Sequence, residues 1–300
     1  MTVRGVSTPF SLLLALVPAA AFAEEPTDAT PHEPETNLAS LVSITALSTF
    51  LTVPLLHEGL GHGGATLATG HPVRYLGSTL VESDGGSSGA NRFISLGATF
   101  VNLAVGSAAL AILYADPPDY GPSYYFLWLI AATNLFSGAG YMMTPLFGFG
   151  DWAQGLDGLH GELWWKIGAT AIGTALTFTA LWLLLAPTEP LLGRGPDRTK
   201  RKWLLTLLPY FLGAAINVGA ASLTREAGGR DTAMVGALAG SLGGSLFLAY
   251  LPIFFLGGAG DDTPETALSI PFDGGYVFAG AAAATVHVGL FGPGIGRAGE

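Results

Sequence analysis

A series of long apolar runs constrains this chain more than any other feature. A helix that crosses a lipid bilayer needs about 20 predominantly apolar residues. The chain is 50% hydrophobic and only 11% charged, with a mean hydropathy of +0.48. These properties predict an all-α fold, a polytopic transmembrane helix bundle of about six to seven spans that follows an N-terminal signal segment. The expected spans cover residues 38–69, 93–114, 124–147, 163–186, 203–223 and 232–256, with a shorter apolar segment at 276–290.

Residues 1–23 have the pattern of a secretory signal peptide. Arg4 precedes an apolar core, and Ala21-Phe22-Ala23 forms a small-x-small cleavage site. An uncleaved anchor helix is the alternative, although the apolar core is short for a span. Residues 24–37 are acidic and rich in proline, which predicts a disordered segment outside the cytoplasm.

A cluster of ionisable residues, His57-Glu58-Gly59-Leu60-Gly61-His62, lies near the end of the first apolar run. Ionisable side chains inside a bilayer are costly, so they mark candidate functional sites. Two histidines beside a glutamate are typical of zinc-binding helices in which the glutamate acts as a general base. A hydrogen-bonded polar cluster without a metal is the alternative interpretation.

The spacing of the two histidines leaves two arrangements open. His57 and His62 are five residues apart, which places them about 140° apart around an ordinary α-helix. A π-turn adds one residue and would bring both imidazoles to one face, a distortion that Gly59 and Gly61 would tolerate. Alternatively, Glu58 and His62 form the facing pair, being four residues apart, and His57 lies behind them.

A third ligand must come from His, Asp or Glu, because the chain has no cysteine. Asp151 follows the third span, which runs in the same direction as the first, so Asp151 should emerge at the end where His57 and His62 lie. Asp151 could instead cap a helix that starts at Trp152. Asp273 is an alternative metal ligand, although the same count of spans places it on the opposite side.

Two further features could contact a substrate. Asn102 and Asn134 lie inside the second and third spans, where each could position a substrate carbonyl, order a metal ligand or join two helices by hydrogen bonds. Residues 72–82 have a strand-like pattern. Such a strand could hold an extended substrate by β-augmentation, or could simply be a connecting loop.

The charged residues exclude one class of partner and leave a conflict over orientation. The net charge is −10 and no basic stripe is present, which argues against nucleic-acid binding. If residues 24–37 lie outside the cytoplasm, the loop 187–202 lies outside too. This loop conflicts with the positive-inside tendency, because it contains Arg194, Arg198, Lys200, Arg201 and Lys202.

At the level of motifs, the chain resembles the site-2 protease superfamily of intramembrane zinc metallopeptidases. The resemblance covers roughly residues 38–157 and has one extra residue between the two histidines. Asp273 lies in a second stretch that is similar to the family's aspartate motif. The motifs that carry the resemblance are His57-Glu58-Gly-Leu-Gly-His62-Gly, Gly97 with Asn102, and Asn134 followed by Gly150-Asp151-Trp152.

The resemblance implies a membrane endopeptidase in which His57, His62 and Asp151 bind Zn²⁺ and Glu58 is the catalytic base. Asn102 and Asn134 become candidates for positioning the substrate, a membrane protein or peptide. Residues 38–160 would form the metallopeptidase core and residues 161–300 an additional transmembrane bundle. We expect a multi-pass protein of a bacterial-type inner membrane. The alternative function is a non-catalytic multi-pass membrane protein with a metal-binding or structural His/Glu cluster.

Overall fold

The computed structural model describes residues 34–225, 229–255 and 259–296. The predicted signal peptide, 1–23, and residues 24–33 lie outside the described residues. The described chain is almost entirely helical, and six helices are long and apolar enough to cross a membrane, which confirms the prediction of an all-α multi-pass bundle. In chain order the helices are α1 (Leu38–Ala68), α2 (Ser88–Ala115), α3 (Gly121–Tyr141), the short α4 (Asp151–Leu156), α5 (Glu162–Leu192), α6 (Arg198–Ala221), α7 (Arg230–Phe255) and α8 (Gly274–Phe291).

The third predicted span differs most from the observed helix. The expected range was 124–147, but α3 ends at Tyr141 and a separate 3₁₀ turn follows at Pro145–Phe147. The short apolar segment predicted at 276–290 is a helix of full spanning length, α8. The six helices that qualify as spans are α1, α2, α5, α6, α7 and α8.

Helix α3 is the centre of the bundle, although it is less apolar than those six helices. It packs against α1, α2, α5 and α7, and 16 of its 21 residues are buried. Its polar groups bond to the helices around it: Trp128 Nε1 donates to Thr188 Oγ1 (2.9 Å), and the Tyr125 hydroxyl donates to the Leu205 carbonyl (3.0 Å). Because protein encloses α3 on several sides, its sequence need not be as lipid-like as that of an outer helix.

Helix α1 changes its hydrogen-bonding pattern halfway along. Pro54 has no N–H to donate to the carbonyl four residues back, so the ordinary α-helical pattern is interrupted there. From Leu51 to Gly63 the backbone is a π-helix, in which bonds join residues five apart. Gly59 suits this winding, because a Cβ atom there would lie 3.1 Å from the Pro54 carbonyl oxygen. The first of the two arrangements left open by the histidine spacing is therefore the observed one.

One end of the bundle, which we call the N-terminal face, contains residues 34–37, 116–120, 193–197 and 259–273. Its contacts correct part of the disorder prediction for 24–37. The Asn37 N–H donates to the Ile270 carbonyl (2.7 Å), and the Ile270 N–H donates to the Glu35 carbonyl (2.8 Å). Residues 34–37 are thus ordered by backbone pairing, a contact between distant segments that local composition cannot reveal.

Arg198 and Arg201, predicted to lie in the loop 187–202, lie in the first turn of α6 and hold the N-terminal face together. Arg201 is buried and donates to Thr36 Oγ1 and to the backbone carbonyls of Pro34, Leu191 and Leu268. Arg198 makes a paired contact with the Glu189 carboxylate, with both distances 2.9 Å. Since these cations bind protein oxygens, the basic loop has a structural role and is a weak signal of orientation.

The opposite end, the site face, contains residues 69–87, 142–161, 222–225 and 292–296. Here the predicted strand 72–82 is a hairpin of two strands, β1 (Val73–Leu76) and β2 (Val81–Ser83), because the chain turns at Gly77. A third strand, β3 (Ile295–Gly296), pairs antiparallel with the other edge of β1, so the order is β2-β1-β3. The buried Tyr75 fixes the sheet to the bundle through Thr224 Oγ1 (2.9 Å).

Helices α1 and α2 cross in close contact beside the histidines. A Cβ atom added to Gly61 would overlap the Cα atom of Ala98 and lie 2.9 Å from its backbone nitrogen. A Cβ atom added to Gly97 would lie 2.7 Å from the Gly61 carbonyl oxygen. Backbone atoms cannot rotate away as a side chain can, so both glycines are required for this approach.

The crossing predicts that Gly61→Ala lowers the free energy of unfolding by about 1–3 kcal/mol, the usual effect of overpacking. Gly64→Ala is the matched control in the same helix, since its Cβ atom would make only an ordinary 3.7 Å contact with Leu60 Cδ1. Thermal unfolding of both variants in detergent micelles, followed by circular dichroism, measures the difference. Equal midpoints for the two variants would contradict the close crossing.

Candidate metal centre

The π-helical segment of α1 brings His57 and His62 to the same side. Bonds between residues five apart stack the two histidines one turn above the other. Their ring centroids are 5.0 Å apart and the ring planes are nearly perpendicular, at 89°. Both side chains are buried. The extra residue between the histidines is therefore matched by the local winding of the helix.

Asp151 reaches the two histidines from the segment that follows α3. Gly148 and Gly150 have left-handed backbone conformations, with φ of 78° and 85°, which allow the chain to turn back toward α1. Trp152 Nε1 then donates to Thr99 Oγ1 (2.9 Å) and fixes the start of α4 to α2. The N-cap of α4 is Gly150, so Asp151 does not serve as the cap.

An oxygen acceptor near Nδ1 orients each imidazole ring. His57 Nδ1 lies 3.3 Å from Asn102 Oδ1, and His62 Nδ1 lies 2.8 Å from the Ile94 carbonyl oxygen. An oxygen acceptor requires a proton on Nδ1, which in the neutral ring leaves a lone pair on Nε2. Histidines that bind metals are held in the same way, with the second nitrogen donating to a carbonyl or carboxylate.

Both Nε2 atoms face one oxygen of Asp151. The Oδ2 atom lies 3.2 Å from His57 Nε2 and 3.4 Å from His62 Nε2, yet this buried oxygen has no partner in hydrogen-bond geometry among the described residues. Burial favours the neutral acid, but the facing His62 and His57 hold the pKa of the Asp151 carboxyl well below its usual range. An anionic oxygen and two imidazole nitrogens thus meet at one point.

The donor set and its spacing fit a zinc ion. Ligand atoms at the corners of a tetrahedron around zinc lie about 3.4 Å apart, given zinc–nitrogen and zinc–oxygen bonds near 2.0–2.2 Å. The observed distances of 3.2 and 3.4 Å match this edge, and all three ligand atoms lie within 4.8 Å of one another. Two histidines and one carboxylate are also a ligand set that leaves a fourth position open in catalytic zinc sites.

A cavity of about 570 Å³ opens beside this group and contains the Glu58 side chain in its wall. The hairpin turn and the start of β2 form one wall, at residues 79–81, and Gly236 and Gly240 of α7 form another. A second cavity of about 50 Å³ lies deeper in the bundle and shares His57 and Tyr141 with the first. The metal group therefore faces an internal space large enough for part of a peptide.

The other predicted site residues lie elsewhere or have other partners. Asn102 contacts His57, so it orients a metal ligand. Asn134 donates to Thr52 Oγ1 (3.0 Å) and so joins α3 to α1, and it is not among the residues that line the two cavities. Asp273, the alternative ligand, lies on the N-terminal face and outside the group of His57, His62 and Asp151. There it caps α8 by accepting from the Tyr276 N–H, and it accepts from the Tyr120 hydroxyl.

Sequence reasoning missed two contributors to the site. The Tyr141 ring stacks on the His57 ring with centroids 4.6 Å apart, and the Ile94 carbonyl orients His62. A backbone carbonyl leaves no trace in the sequence. Tyr141 is the last residue of the central helix α3 and lies at the same end of the bundle as Asp151. Counting the spans could therefore have placed Tyr141 near the histidines.

Comparison of the chain with protein-family models, with curated proteins and with solved structures found no match. Function is therefore inferred from the chemistry of the site itself.

The geometry predicts that His62→Ala abolishes zinc binding, because only two of the three ligands would remain. Asn102→Ala should weaken binding about 10- to 100-fold, the usual effect of removing a group that orients a ligand. His160→Ala is the control, an exposed histidine on the same face. Elemental analysis and zinc titration of the purified proteins measure these effects. Unchanged zinc content in His62→Ala would exclude the centre.

Proposed function

We propose that this protein is an integral membrane zinc metallopeptidase, similar in its site to the site-2 protease superfamily. The observation that carries the proposal is the convergence of His57 Nε2, His62 Nε2 and Asp151 Oδ2 beside a cavity that also contains Glu58. A carboxylate oxygen and two imidazole nitrogens that converge at one buried point form a site for a cation. A buried carboxylate next to that cation supplies the general base that peptide hydrolysis requires.

The proposed reaction assigns a role to each residue of the site. Zinc, when bound, polarises the peptide carbonyl and lowers the pKa of a bound water molecule. His57, His62 and Asp151 hold the ion, and Asn102 keeps the Nε2 lone pair of His57 directed toward it. Glu58 accepts a proton as the water oxygen attacks the carbonyl carbon. Glu58 then returns that proton to the amide nitrogen as the C–N bond breaks, giving a carboxylic acid and an amine.

The shape of the cavity supports an extended peptide as substrate. In the described part of the chain, strand β2 lies at the edge of the sheet beside β1, and residues 79–81, which lead into it, line the cavity wall. An edge strand can accept another strand by backbone hydrogen bonds. The site lies between membrane-spanning helices, so we propose membrane proteins or peptides as substrates. As the location we propose a bacterial-type inner membrane.

The proposal predicts that Glu58→Gln retains zinc but loses about 10²–10⁴-fold of peptidase activity, because glutamine keeps the shape of the side chain and cannot accept the proton. The matched control is Asp157→Asn, an exposed acid on the same face. The assay uses a library of synthetic transmembrane-segment peptides in detergent micelles, with cleavage read by mass spectrometry.

Full activity in Glu58→Gln would overturn the proposed mechanism. A wild-type protein that binds zinc but cleaves none of the peptides would favour the second function, a membrane protein that binds metal without catalysis. Zinc content measured on every variant separates the loss of a base from the loss of the fold.

A further inference from the structure

Tyr141 occupies a singular position beside the metal centre. It is the last residue of α3 and its ring stacks on His57 at 4.6 Å, with 29° between the ring planes. It lines both the large and the small cavity, so it stands at the junction between them. The ring supports a metal ligand while the hydroxyl is free to serve another purpose.

The hydroxyl of the half-buried Tyr141 has no hydrogen-bond partner among the described residues, unlike the hydroxyls of four fully buried tyrosines. Tyr75, Tyr124, Tyr125 and Tyr210 all bond to side-chain or backbone oxygens, at distances between 2.8 and 3.1 Å. Phenol hydroxyls inside proteins usually find such a partner. A donor left unpartnered on a cavity wall is available to a ligand within that cavity.

A glycine in α7 provides the space that the Tyr141 hydroxyl occupies. A Cβ atom added to Gly240 would lie 2.5 Å from Tyr141 Oη, so any larger residue would displace the hydroxyl. Gly240 lies in a π-helical stretch of α7, Ala239–Gly244, and lines both cavities together with Tyr141. Gly243, in the same stretch, has no atom within 4 Å of its Cβ position. The missing side chain at Gly240 therefore leaves space for the Tyr141 hydroxyl, whereas the missing side chain at Gly243 does not.

We infer that the Tyr141 hydroxyl donates a hydrogen bond to the carbonyl oxygen of the peptide bond under attack. This inference rests on the proposed peptidase function and adds a catalytic residue to it. The phenol remains protonated at neutral pH, since its ordinary pKa is about 10. As the water oxygen adds to the carbonyl carbon, negative charge builds on the carbonyl oxygen, and a fixed donor stabilises it more in the transition state than in the substrate. No proton leaves Tyr141 in this step.

The test compares Tyr141→Phe, which keeps the ring that stacks on His57, with Gly240→Ala, which displaces the hydroxyl without removing it. Gly243→Ala is the control. We expect kcat to fall about 10²–10³-fold in Tyr141→Phe, the usual effect of losing one such donor, with KM and zinc content unchanged. Gly240→Ala should show a fall in the same direction, and Gly243→Ala should behave as wild type.

A second readout does not depend on turnover. A phosphinic peptide, built on the best-cleaved sequence of the library, presents a tetrahedral phosphorus with two oxygens where the amide presents a planar carbonyl. Calorimetry should show that Tyr141→Phe weakens binding of the phosphinic peptide by about the factor lost in kcat. In a Glu58→Gln background, which leaves the amide peptide uncleaved, adding Tyr141→Phe should not change binding of that peptide.

The outcomes separate this inference from the function on which it rests. Wild-type protein without zinc and without peptidase activity overturns both. Active wild-type protein together with a fully active Tyr141→Phe variant overturns the role of Tyr141 alone. Loss of zinc in Tyr141→Phe would also overturn it, because the tyrosine would then act by positioning His57.

Discussion

Everything at the candidate site depends on the backbone hydrogen-bond pattern of one stretch of α1. Between Leu51 and Gly63 the bonds join residues five apart, and this winding places His57 above His62. An ordinary helix would turn the two imidazoles about 140° away from each other. Pro54, which cannot donate a hydrogen bond, and Gly59, which tolerates the close carbonyl, lie inside the segment and make the winding accessible. The candidate metal centre thus depends on a π-helical segment within α1.

The other parts of the site are brought to this stretch by tertiary contacts. The close crossing at Gly61 and Gly97 brings α2 near enough for Asn102 and the Ile94 carbonyl to orient the histidines. The turn at Gly148 and Gly150 then delivers Asp151. Small residues recur at each approach because side chains there would hold the backbones apart.

Much of this could be predicted from the sequence, and the limits are physical. Apolar runs identify spans because a bilayer demands length and hydrophobicity, and counting spans placed Asp151 on the side of His57 and Asp273 on the opposite side. Local pattern could not show that residues 34–37 pair with Ile270, that residues 72–82 turn at Gly77, or that Tyr141 lies against His57. Each of these depends on contacts between segments far apart in the chain.

The enclosed position of α3 also bears on how the chain enters a membrane. Asn134, Thr133 and Ser137 lie on this helix, and polar side chains raise the free energy of transferring a lone helix from the translocation channel into lipid. Helix α2, its immediate predecessor, packs along it and offers a protein surface during insertion. We therefore expect α2 and α3 to enter the bilayer together as a helical hairpin, with the helix that carries Tyr141 paired with the helix that carries Asn102.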